Sequence, residues 1–143
     1  GVKSRFVHLE FFRLAEAKKG LGKKGAIVGL EVNMRPAGGY TPDMMNFAHS
    51  TDVYQIWADM VTADARLLPD SGDHQFCVYA WRRDSHAYVH THDEVMARYG
   101  EAIVMHEAMP PMMQPQMGNY MYTARLRTED DAKAFIRFVQ EQK

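Results

Sequence analysis

A single cysteine, Cys77, stands among 143 residues, so no internal disulfide can form. That excludes a disulfide-stapled secreted scaffold and makes a reducing, cytoplasmic compartment the expectation. Long apolar runs are missing too. No stretch approaches the roughly 18 residues of a membrane helix, so no membrane partner is expected. An excess of one charge is also lacking. Seventeen Lys and Arg against eighteen Asp and Glu leave a net charge of -1. That balance gives no general attraction to nucleic acid or to an anionic membrane. The opening GVKSRFVHLEFF lacks the basic, apolar, small-residue order of a secretion signal. It enters a strand pattern at once, as a piece beginning inside a larger protein would. What is present, 46% hydrophobic and 24% charged residues, suits a globular chain with one sizeable core or two small ones.

Alternation predicts a strand over residues 5–14, RFVHLEFFRL. It sets Phe6, His8, Glu10 and Phe12 on one face and Val7, Leu9 and Phe11 on the other. A second strand is expected over 26–35, AIVGLEVNMR. Its apolar members Ile27, Leu30, Val32 and Met34 are expected to be buried against a helix, with Glu31, Asn33 and Arg35 facing the other way. The connection AEAKKGLGKKG holds three glycines and four lysines and reads as a solvated hairpin loop. It has neither the spacing nor the Ser or Thr of a P-loop. A hairpin folded about Gly20 and Leu21 sets Glu10 opposite Glu31.

Pro42, following Thr41, suits a first helical position. A stronger helix is expected from about Thr51 to Asp64, with Val53, Ile56, Trp57, Met60 and Val61 as its core face. RLLPDSGD, residues 66–73, is a boundary, giving domains 1–65 and 74–143. The remainder reads strand, helix, strand, strand, helix. Thr91 and Glu94 form a capping box, PPMMQPQMGN is a loop, and Thr128 caps a last helix with a stripe of Ala132, Phe135, Ile136 and Val139. Trp57, Trp81, Tyr120 and Tyr122 are expected in the core. The fold class is α+β with mostly antiparallel strands.

The string GLEVNMRPAGGYT carries the chemistry. Glu31, Asn33 and Arg35 project together from one strand. A carboxylate and an amide oxygen two positions apart suit a hard cation such as magnesium, and a guanidinium one step on suits a phosphate. Glu10 on the neighbouring strand can add another oxygen. Gly38 and Gly39 let a substrate approach the backbone closely. The same residues serve equally well as ordinary polar side chains of a solvent-facing strand, and spacing alone leaves both readings open.

FVHLEFF, a hairpin and GLEVNMRPAGGYTPDMMNFAHSTDVYQIWADMV together resemble the C-terminal half of an ATP-grasp domain. That superfamily includes biotin carboxylase, carbamoyl-phosphate synthetase and carboxylate–amine ligases. The resemblance covers about residues 5 to 62. It implies that Glu10, Glu31 and Asn33 are ligands of magnesium (or manganese) in an ATP site. Arg35 is then the catalytic arginine that binds the transferred phosphoryl group, and Gly38 and Gly39 shape the acceptor pocket. The implied reaction joins a small-molecule carboxylate to an amine through an acyl phosphate. Nothing upstream of FVHLEFF supplies the first ATP-grasp lobe, so this chain is expected to be part of a ligase, inactive alone. Residues 74–143 are then a small α+β C-terminal domain, and apolar surface around Phe6 and Phe12 makes a homo-oligomer the expectation. The alternative is a non-catalytic α+β docking or dimerisation module.

Other candidates are plainer. Cys77, in HQFCVYAW, reads as a buried strand cysteine before a catalytic thiol. His90 and His92 have a spacing open to zinc but flank the Thr91 cap, which suits a plain helix start. His8 shares the face of Glu10 and is open to both cleft and packing roles. Eleven methionines, five of them between Met109 and Met121, suit packing before an adaptable binding surface.

Overall fold

The structure, a computed structural model, describes residues 3–143 and is α+β with two antiparallel sheets. Among the described residues no helix is long and apolar enough to cross a membrane. The chain divides into two compact units, one running through Pro42 and resuming over Asp52–Pro69, the other made of Asp43–Thr51 and Asp70–Lys143. The stretch 43–51 therefore belongs with the second unit, where the expected 1–65 domain had included it. Its end is tied there. The Gln75 amide donates to the Ala48 carbonyl at 2.9 Å and the Ser50 hydroxyl donates to Asp73 at 2.7 Å. Arg125 donates to both Ser50 and Asp73. The Ser50 hydrogen bond, with the Arg125 charge, holds the Asp73 carboxyl below the usual range.

In the first unit β1 (His8–Arg13) and β2 (Ile27–Asn33) form a two-stranded antiparallel ribbon. Its hairpin closes where the Leu21 and Gly22 amides donate to the Lys18 carbonyl at 3.1 and 3.0 Å. Gly20, at φ 83°, takes the left-handed conformation that side chains resist. Glu10 stands opposite Glu31 and His8 opposite Asn33, but Phe11 pairs with Gly29, leaving Leu30 as a bulge residue. The bulge shifts the alternation, so Ile27 joins the face of Leu9, Phe11 and Val32. The expected burial of Ile27, Leu30, Val32 and Met34 is corrected here: all four are exposed, Val32 at 66%. A two-stranded ribbon has no third strand to support a helix, and this face is uncovered among the described residues.

α1 (Thr41–His49) starts at Thr41 with Pro42 in its first turn. α2 (Val53–Ala63) is capped by Asp52, whose carboxylate accepts from the Tyr54 and Gln55 amides at 3.0 Å, and it ends at a left-handed Asp64. It buries Val53, Ile56 and Asp59, while Trp57 and Val61 are exposed. Trp57 is thus no core residue.

The second unit is a three-stranded sheet in the order β3-β5-β4, with β3 (Phe76–Arg82), β4 (Ile103–Ala108) and β5 (Tyr120–Leu126) all antiparallel. α3 (His92–Tyr99) opens with the expected capping box between Thr91 and Glu94. α4 (Gln114–Met117) is a short helix inside the expected Pro- and Met-rich loop. α5 (Glu129–Gln140) is capped by Thr128 and buries Ala132, Phe135 and Val139. These join Ala80, Val95, Tyr122 and Ala124 in one apolar core. The methionines divide: Met109 and Met121 are buried, and Met112 is 85% exposed.

Candidate functional site

The polar face of the ribbon gathers four side chains. Directly opposed residues on paired strands hold their Cβ atoms about 4.5–5.5 Å apart, so the Glu10 and Glu31 carboxylates start within reach of a single ion. The Asn33 side-chain amide donates to Glu31, which leaves the amide oxygen available as a further donor. His8 Nε2 lies 3.2 Å from Glu10 Oε1. The buried Nδ1 of His8 has no hydrogen-bond partner among the described residues. Two opposed carboxylates repel unless a cation stands between them. The carboxylate and amide oxygens on this face are the set a hard divalent cation takes, and His8, on the same face, holds one carboxylate through its Nε2 contact. The residue types are those such an ion takes. Among the described residues no three His, Cys, Asp or Glu side chains converge into a group that could hold a metal ion, on this face or any other.

Arg35 follows two residues beyond Asn33. One of its guanidinium nitrogens donates to the Pro36 carbonyl at 3.0 Å, and the others stay available for a bidentate anion. The loop that follows turns at Gly39, φ 60°, and a Cβ built on Gly38 meets nothing within 4 Å. The backbone beside Gly38 is therefore open to an approaching group. Arg35 also walls a cavity of about 250 Å³, lined further by Pro36, Ala37, Gly39, Pro42, Val53, Tyr54 and Trp57. Reading Trp57 as core hid this cavity. The signal was in the helical spacing: Val53 and Trp57 stand one turn apart, so one face can present both a floor and a wall.

No known family, curated protein or solved structure matches this chain.

The remaining candidates find separate partners. His90 Nε2 is 3.1 Å from Glu141 and its ring stacks on Phe138 at 3.6 Å. His92 Nδ1 is 2.9 Å from the Tyr122 hydroxyl. Neither turns to the other as a metal pair would. Cys77 is partly buried, and that burial, opposed only by the Arg125 charge, pushes its thiol up to about 11. A thiol so rarely ionised near neutral pH is a poor nucleophile.

Proposed function

We propose that this chain is the C-terminal portion of an ATP-grasp carboxylate–amine ligase. Its ribbon and α2 then belong to the ATP-grasp domain, and the second unit, which holds most of α1, is a small appended domain. The observation that supports this best is the Glu10–Glu31 pair, set in register on one face with Asn33 beside it and Arg35 just beyond. Glu10, Glu31 and the Asn33 oxygen would hold magnesium or manganese. Such an ion would supply positive charge to neutralise the phosphates of ATP. Arg35 holds the moving phosphoryl group as charge builds on its oxygens.

In this reading a carboxylate oxygen of the substrate attacks the γ-phosphorus and the bond to ADP breaks. An amine then attacks the acyl carbon and loses a proton, the carbon–oxygen bond to phosphate breaks, and an amide remains. Gly38 supplies an open backbone edge for the acceptor. A nucleotide-covering lobe from outside these residues completes the cleft.

Manganese, a paramagnetic stand-in for magnesium, tests the site without any turnover. Added Mn²⁺ is expected to broaden the amide resonances of His8, Glu10, Glu31 and Asn33 first, and Glu31→Gln to weaken that binding at least about tenfold, since one of two charged ligands is lost. Broadening centred elsewhere, or unchanged in the variant, would overturn the reading.

One observation favours a second reading, a dimerisation module. The other face of the ribbon presents Leu9, Phe11, Ile27 and Val32, all about half exposed or more, beside two unpaired strand edges. Arg13, opposite Ile27, puts a charge at one end of this face, and the apolar stretch beyond it has as its natural complement the same stretch of a second copy about a two-fold axis. Sedimentation is expected to show a dimer that Val32→Glu dissociates. A concentration-independent monomer of the unaltered chain would remove this reading.

A further inference from the structure

The cavity beside Arg35 says something about size and polarity. Its wall is mostly apolar and aromatic: Pro42, Val53 and Trp57 face the same space as the Arg35 guanidinium. Small-molecule sites commonly combine such a lining with one or two polar groups that fix orientation. Its volume, about 250 Å³, sets the scale. An apolar cavity of about 150 Å³ accepts a benzene molecule. The space here therefore takes one ring, or a branched chain of similar bulk, together with a short carboxylate arm. Two fused rings with an arm would leave the second ring at its open side.

We infer that this cavity binds the body of a monocarboxylate, one ring or a short branched chain in size, whose carboxylate rests on Arg35 and whose apolar part lies against Trp57, Val53 and Pro42. The inference rests on the ligase reading for its meaning, because it names the carboxylate that would be phosphorylated. Its physical content is a binding site within the first unit alone. A small acid such as acetate leaves the apolar walls wet and gains only the charge contact. A ring-bearing acid also removes about a ring's worth of apolar surface from water. A dicarboxylate brings a second charge to a wall with no second cation.

Phenylacetate is the probe, with acetate as the small reference and 1-naphthylacetate as the large one. Binding is followed by saturation-transfer NMR on the whole 143-residue chain, with no nucleotide present. Phenylacetate is expected to bind at least about tenfold more tightly than acetate, and 1-naphthylacetate no more tightly than phenylacetate. Arg35→Gln, which leaves the cavity wall in place, is expected to weaken phenylacetate at least about tenfold. Trp57→Ala is expected to relax the discrimination against 1-naphthylacetate by widening the space. Circular dichroism on both variants shows that the fold persists, and both positions are solvent-exposed, so neither change should unfold the unit. Equal binding of acetate and phenylacetate, or phenylacetate binding indifferent to both substitutions, would overturn the inference. The manganese experiment reads a different set of residues. Manganese binding without phenylacetate discrimination sinks the substrate class and spares the metal site. Phenylacetate discrimination without manganese binding supports the cavity assignment and sinks the ligase reading.

Discussion

Phe135→Ala is expected to strip the second unit of most of its stability. Phe135 is 0% exposed on α5, and its ring meets Tyr99 edge-on at 5.1 Å between centroids. It lies in one cluster with Ala80, Val95, Tyr122 and Val139. Truncating a buried phenylalanine costs about 3–5 kcal/mol, since the transfer gain and the contacts around the cavity are lost together. A domain of this size holds only about 5–15 kcal/mol in all. Thermal unfolding followed by near-UV circular dichroism should therefore show a midpoint lowered by at least about 12 °C. A fall of only a few degrees would mean that the core relaxes around the gap and that α5 is not the element closing the sheet. Ile136 makes a useful comparison. It neighbours Phe135 but is only partly buried, so its truncation should cost clearly less.

The parts of the fold that were legible in the sequence are those written in short-range chemistry. The Thr91–Glu94 capping box needs only two residues three apart, and it is present. The stripe Ala132, Phe135 and Val139 follows helical periodicity and is buried. The hairpin register followed from a loop with glycines at its turn, and Glu10 does face Glu31. The parts that were not legible depend on what lies opposite. Ile27, Leu30, Val32 and Met34 look like one face of a buried strand, yet burial is a property of the partner and not of the pattern. Val61 and Trp57 obey the helical template of Val53 and Ile56 and still face solvent, because a template states which residues align and not what covers them. The bulge at Leu30 did have a local mark, Gly29 beside it inside the strand pattern, and it decides which side of the ribbon Ile27 joins.

The candidate site divides in the same way. Glu31 and Asn33 share a strand, so their common face follows from the period of two; Arg35, expected on the same strand, lies in the bend just after it, because β2 ends at Asn33 where its pairing with His8 ends. His8 was visible as a neighbour of Glu10, and its 3.2 Å contact makes it an orienting partner of that carboxylate. The cavity joins Arg35 to Val53 and Trp57. Those residues come together only through the turn at Gly39 and the entry into α2, a tertiary arrangement that spacing does not encode.

Gly118→Ala should be nearly as damaging as the loss of Phe135, by a route that involves no apolar burial. Gly118 closes α4 at φ 82° and ψ 176°, a backbone region that is essentially reserved for glycine and costs other residues about 1–3 kcal/mol. Space adds a second objection. A Cβ there would stand 2.8 Å from the Arg82 carbonyl oxygen and 3.0 Å from Trp81 Cβ. The backbone cannot step aside freely, because the Asn119 amide donates to that same Arg82 carbonyl at 2.7 Å and the Met109 amide donates to the Asn119 carbonyl at 2.8 Å. Moving the loop to relieve the contact would give up a bond worth about 1 kcal/mol. The two costs together come to roughly 2–4 kcal/mol. Gly72→Ala separates them. Gly72 is also left-handed, at φ 71°, but its Cβ would meet nothing within 4 Å. It should show the backbone cost alone, about 1–2 kcal/mol. Urea unfolding of the two variants is therefore expected to place Gly118→Ala at least about 1 kcal/mol below Gly72→Ala, a gap set by the hydrogen bond and contact that only Gly118 engages. Equal losses would show that the loop shifts off Arg82 without resistance, and that the Asn119 bond contributes little to seating it on β3.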